Sequence, residues 1–268
     1  KWVDIEMADH FLSKSQEFIS KNKNKSFFLF YSMQQPHVPR TPHPRFVGKS
    51  GMGPRGDAIL ELDWCVGELY KTLKSEKILE NTLIIFSSDN GPVLNDGYYD
   101  DAVEKIGNHT PSGGLRGGKY SLFEAGTRVP FIAYWKDRIK PGVSDEIISQ
   151  IDLLNSIATI VSSNMRSEDG IDLSDLILNN KGKGRTELVI EALRRTAYIN
   201  KNWVLIPPYK GPPISKNVNI ELGNSDEYKL YNLNEDPSQN YNLANTEIEK
   251  FEEMINSFIR VRGKIFRD

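Results

Sequence analysis

Thr82-Leu83-Ile84-Ile85-Phe86-Ser87-Ser88-Asp89-Asn90-Gly91-Pro92 is an apolar run that stops at a carboxylate and an amide and is then broken by Gly-Pro. Leu83 to Phe86 have the length and branching of a strand covered on both faces, the pattern of a parallel sheet flanked by helices. The fold class this predicts is α/β. Asp89 and Asn90 then fall just past the carboxyl end of the strand, where open α/β sheets place their ligands. A carboxylate and an amide oxygen are donors suited to Ca²⁺ or Mg²⁺, and no clustered Cys or His favours zinc. Adjacent side chains on a regular strand point to opposite faces, so both reach one ion only where the chain leaves strand geometry, as Gly91-Pro92 makes it do. Taken alone, Asp-Asn-Gly reads as a hairpin turn.

Working upstream, Gly56 to Glu76 places Ile59, Leu62, Val66, Leu69 and Leu73 on one helical face, with Asp57, Glu61, Glu68 and Lys71 expected in solvent. Before it, Ser26-Phe27-Phe28-Leu29-Phe30-Tyr31-Ser32-Met33 is a near-continuous apolar run that predicts a second buried strand. Strand, helix and parallel strand form a right-handed βαβ unit, which would bring the ends of both strands to one edge. His37 follows the first strand in Gln35-Pro36-His37-Val38-Pro39-Arg40, and the prolines at 36, 39, 42 and 44 hold it in an extended loop.

Downstream, Gly113-Gly114-Leu115-Arg116-Gly117-Gly118-Lys119-Tyr120 sets one lysine among glycines, and Arg128 precedes Val129-Pro130. Glycines let the backbone approach a ligand closely, and the lysine ammonium offers a compact charge with three donors. The spacing nearly spells a nucleotide phosphate loop. Tyr120 stands where that loop requires Ser or Thr, and no strand pattern precedes it.

These three blocks, in this order, resemble the sulfatase family of the alkaline-phosphatase superfamily, specifically its arylsulfatase-like members. The likeness runs from about Phe27 to Ile160 and resumes at Leu230-Tyr231-Asn232-Leu233-Asn234-Glu235-Asp236-Pro237, similar to the family's C-terminal signature. It implies the remainder of an α/β/α sandwich over 1–183, followed over 184–268 by a small α+β subdomain with an antiparallel sheet and a closing helix. By resemblance, Asp89 and Asn90 are ligands of Ca²⁺, with Mg²⁺ the alternative. Lys119 and His37 are catalytic and sulfate-binding, and Arg128 anchors the loop structurally near the site.

Sulfatases attack the ester with a formylglycine made from Cys or Ser in a C/S-x-P-x-R motif, and this sequence contains none. Its one cysteine, Cys65, is followed by Val-Gly-Glu-Leu, and Ser112-Gly113-Gly114-Leu115-Arg116 has glycine where proline is required. The family's N-terminal Asp-Asp pair, lysine and histidine are also absent. The resemblance therefore implies the C-terminal portion of a sulfuric ester hydrolase, inactive alone, with its nucleophile on a missing N-terminal region. Its expected partners are that region and a sulfated small molecule or glycan. Family analogy gives a periplasmic, secreted or lysosomal location. The alternatives are a phosphomonoesterase or phosphonate hydrolase of the same superfamily, or a noncatalytic sulfated-glycan binder.

The rest of the chain is read from periodicity. Asp4–Ser20 and Ile147–Val161 carry apolar residues at helical intervals, and Val129–Trp135 predicts a third strand. Leu188–Leu193, Thr196–Asn200, Trp203–Ile206 and Tyr228–Leu233 predict short antiparallel strands, and Thr246–Arg262 an amphipathic closing helix. A formal charge of −2 argues against a nucleic-acid binder, which needs a basic field. No apolar segment approaches the ~20 residues of a membrane span, so no membrane role is expected.

Overall fold

The computed structural model describes residues 3–262. The chain forms two compact units, each discontinuous in sequence. The first takes in the chain up to Ile84, Val93–Pro111 and Lys216–Asn219; the second takes in Ile85–Pro92, Ser112–Ser215 and the chain from Ile220 onward.

The first unit is built on α1 (Met7–Asn22) and α2 (Gly53–Ser75). Ala8, Leu12, Ser15 and Ile19 form the buried stripe of α1, the spacing of one helical face. Ala8 and Leu12 pack with Cys65 of α2, and Met33, Trp64 and Leu69 border the cluster. Two polar contacts fix the helix pair: Gln16 Nε2 donates to Thr72 Oγ1 at 2.9 Å and Ser20 Oγ to Glu76 Oε1 at 2.6 Å. Pro54 starts α2 in the first turn, where a missing N–H costs nothing. Asp57 and Glu61, expected in solvent, are only 4% and 3% exposed. The apolar periodicity located the helix, but its buried face also carries two carboxylates that bind loops. Asp57 accepts from Gly48 N, Ser50 N and Ser50 Oγ, while Glu61 accepts from Gln35 Nε2 and His43 N.

Ser26–Met33 departs from expectation. The segment is extended but belongs to no sheet among the described residues, so the βαβ unit is not formed. Phe27, Leu29, Tyr31 and Met33 are half-buried, while Phe28 and Phe30 are 74% and 80% exposed. The two-residue period is that of a strand with one face covered. Sequence supplies the extended propensity, but a sheet also needs neighbours for its N–H and C=O groups.

The second unit contains β1 (Ile84–Ser87, from Ile85 onward), which pairs with β2 (Phe131–Tyr134). Between them lies the one-turn helix α3 (Glu124–Thr127), and after them come α4 (Leu153–Ile160) and α5 (Ser174–Asn179). Four strands then form an antiparallel sheet in the order β3 (Glu187–Ala192), β4 (Arg195–Asn200), β5 (Trp203–Ile206) and, across a short pair β6 (Ile214–Ser215) and β7 (Ile220–Glu221), β8 (Lys229–Asn232). Helix α6 (Ile248–Arg262) closes it.

The pleat assigns this sheet two buried faces. Tyr198, Leu205 and Leu230 point to one side and pack with Met254 and Phe258 of α6. Ala197, Ile199, Val204, Ile206 and Tyr231 point to the other and pack on Leu122 and Phe123, which directly follow the glycine-rich block. The antiparallel sheet is thus the floor on which the Lys119 loop rests.

Candidate active site

Asp89 and Asn90 stand where the chain leaves β1. Asp89 Oδ1 accepts the Asn90 backbone N–H at 2.9 Å, and Asn90 Nδ2 donates to Gly91 O at 2.9 Å. The Asn90 amide nitrogen is therefore engaged by its own loop. Its Oδ1 and Asp89 Oδ2 make no hydrogen bond among the described residues, which leaves one amide and one carboxylate oxygen, donor types that a hard cation accepts.

Two backbone hydrogen bonds join this turn to the Lys119 block. Gly91 N donates to Gly126 O at 2.9 Å and Lys119 N to Pro92 O at 3.0 Å. The approach is close enough to require glycine. A Cβ on Gly91 would lie 1.6 Å from Ala125 O, and one on Gly118 would lie 2.5 Å from Pro92 O. Gly91→Ala is accordingly expected to separate the two loops and destabilise the second unit by about 2–3 kcal/mol, read as a lower urea midpoint.

The lysine loop is held from beneath. Arg116 binds Glu221 and donates to Gln239 O at 2.6 Å, and Ser121 Oγ donates to Glu221 O at 2.6 Å. Tyr120 adopts a left-handed φ of 76°, and its carbonyl accepts from Arg195 Nη2 at 2.6 Å. The ammonium of Lys119 lies 5.3 Å from the centroid of the Tyr120 ring.

Arg128 closes the same block: its backbone N–H caps Glu124 O at 2.9 Å, and Nη1 lies 3.3 Å from Glu124 Oε2. Burial raises the Glu124 carboxyl above its usual range, and the guanidinium opposes that rise. The Glu124 backbone N–H donates to the side chain of the fully buried Gln239. Asp89, Asn90, Lys119 and Arg128 thus belong to one hydrogen-bonded set of loops in the second unit.

His37 belongs to the first unit. Its Nδ1 lies 2.7 Å from Val38 O; a carbonyl only accepts, so Nδ1 carries the hydrogen. Nε2 is then the ring atom 3.7 Å from Asp96 Oδ2. The peptide bonds Gln35–Pro36 and Val38–Pro39 are cis. The loop is fixed by a residue that sequence reasoning passed over. Arg40, whose side chain is fully buried, donates to Pro36 O, Val93 O and Leu94 O and pairs with Asp100 at 3.0 Å. Gln35 and His43 are tied to Glu61 from the other side. Arginine at 40, among prolines, was the available signal, since a guanidinium can gather several carbonyls at once.

Cys65 has no exposed surface, and burial pushes its thiol up to about 11, so it is not a nucleophile. Among the described residues no group of three or more His, Cys, Asp or Glu side chains could hold a metal by itself. Asp89 and Asn90 fit a hard cation in donor type and would supply two of the six or more oxygens it takes.

The family model described as Sulfatase matches residues 6–163, a span that includes His37, Asp89, Asn90, Lys119 and Arg128. An N-acetylgalactosamine-6-O-sulfatase of Bacteroides thetaiotaomicron is 42% identical over 257 residues, covering 94% of this chain and 50% of the relative. Human arylsulfatase A is 30% identical over 239 residues, covering 84% of this chain and 45% of the relative. Among solved structures, a sulfatase from the glycosaminoglycan metabolism of B. thetaiotaomicron superposes with a TM-score of 0.93 at 41% identity, covering 97% of this chain and 55% of that one. A Pseudoalteromonas sulfatase does so with a TM-score of 0.79 at 26% identity, covering 96% and 52%. The chain spans about half the length of the curated relatives it matches. On the family match over residues 6–163, the chain belongs to the sulfatase family.

Proposed function

We propose that the intact protein hydrolyses a carbohydrate sulfate monoester to an alcohol and inorganic sulfate. The observation that carries this reading is the pair of backbone hydrogen bonds joining the Asp89-Asn90 turn to the Lys119 loop. Charge builds on the nonbridging oxygens and the departing oxygen as such an ester is cleaved, and fixed positive donors aimed there lower the barrier. Lys119 holds the sulfate by its ammonium. His37 is the candidate proton donor to the departing oxygen through Nε2, a role open to it only as the imidazolium, because Nδ1 keeps its hydrogen on Val38 O. Asp89 and Asn90 would hold a divalent cation, Ca²⁺ or Mg²⁺, which neutralises sulfate oxygens when bound. The formylglycine that family membership implies, and the remaining metal ligands, would come from polypeptide outside these 268 residues. Two features support that reading: the open Phe28–Phe30 face, and Arg55 Nε, buried without a hydrogen-bond partner among the described residues.

The substrate class rests on the relative that is 42% identical and named for N-acetylgalactosamine 6-sulfate. The test compares the intact protein on matched 6-sulfate and 6-phosphate esters of N-acetylgalactosamine, with the 268-residue chain alone as control. Sulfate release by the intact protein only is the expected result. Preference for phosphate, or glycan binding without turnover, would sink the proposal.

A further inference from the structure

Within the first unit, the loop that follows the Asp-Asn turn and the Lys216–Asn219 segment border an open recess of about 350 Å³, in the range of small-molecule pockets. It is lined by Asn95, Asp96, Gly97, Tyr99, Asn217 and Val218. Val218, 8% exposed, supplies apolar surface, and Tyr99 stands 85% exposed. Asn95 and Asn217 each bring an amide donor and acceptor, and Asp96 brings acceptor oxygens. None of the described residues that line the recess is cationic, so a sulfate or phosphate group would meet a carboxylate and neutral amides in that lining. Hydroxyls suit that lining, and an exposed aromatic face suits the apolar side of a saturated ring. The recess also adjoins the imidazole, since Asp96 is the residue 3.7 Å from His37 Nε2. Arg40 pairs with Asp100, so the base of this loop is anchored.

We infer that this recess is a pyranose subsite, which receives the uncharged ring of the alcohol that departs past His37. The inference rests on the proposed sulfatase reading and makes Tyr99 and Asn217 substrate-specificity residues. Tyr99 stacks on the ring, and Asn217 reads its hydroxyl or acetamido groups.

The test uses the intact protein and the variants Asn217→Ala and Tyr99→Ala, assayed on a sulfated amino-sugar oligosaccharide and on 4-nitrophenyl sulfate. For Asn217→Ala, kcat/KM on the sugar ester is expected to fall at least about tenfold further than on the aryl ester, which has no hydroxyls for the amide to read. Equal falls on both esters, or no fall on the sugar, overturn the subsite. A second measurement is independent of turnover. Saturation-transfer NMR should detect the desulfated oligosaccharide on the parent protein and lose it in both variants. Binding retained by the variants, or absent from the parent, counts against the recess. Absence of sulfate hydrolysis alongside variant-sensitive binding would count against the sulfatase reading alone.

Discussion

Lys119→Ala is expected to lower kcat of the intact protein on sulfate esters by about a thousandfold, with a smaller effect on KM. The reasoning is electrostatic. On the proposed function the lysine ammonium would face charge that is fully developed only as the ester breaks, so its removal would weaken the transition state more than the bound substrate. The substitution leaves the loop's main supports in place, because the bond to Pro92 uses the Lys119 backbone and the anchors beneath use Arg116, Ser121 and Gln239. A stability loss of no more than about 1 kcal/mol, read from the urea midpoint, should therefore accompany the lost rate. Lys119→Arg is expected to restore little, since a planar fork does not reproduce a compact point charge. A Lys119→Ala protein that keeps more than a tenth of the parent kcat would remove lysine from the site.

Arg40→Met should produce the largest loss of stability, about 3 kcal/mol, seen as a lower urea midpoint. The arginine side chain is fully buried, and Asp100, its partner, is 11% exposed. Removing the guanidinium leaves three carbonyls without a donor among the described residues and Asp100 with only the backbone N–H groups of Arg40 and Ala102, while methionine replaces much of the lost volume. The paired variant Arg40→Met with Asp100→Leu should be less destabilised than the sum of the two single changes, because no charge is left unmatched. Strict additivity would show that the pair is not coupled.

The antiparallel half of the molecule was almost fully legible. Four predicted strands and the closing helix lie within two residues of their observed bounds, because hairpin-linked strands with alternating burial carry their pattern locally. The same holds for β1 and β2, while α1 and α2 each begin three residues from their expected starts. Ser26–Met33 was misread for a physical reason: strand formation depends on neighbours that no local pattern encodes. Asp57 and Glu61 lie on the buried face of α2 against expectation, because each carboxylate accepts loop hydrogen bonds that take the place of water. The residues of the candidate site are legible as residue types at strand and loop ends. Its supports are not, because Arg116, Gln239, Arg195 and Arg40 act across 53 to 123 residues of sequence.

The sealed position of Cys65 has a practical side. Maleimides and haloacetamides react with thiolates, and at neutral pH this sulfur is neither ionised nor reachable. A cysteine introduced at Tyr99 or Asn217 would be the one accessible sulfhydryl within these 268 residues. A fluorophore could then be attached beside His37 with no background to subtract.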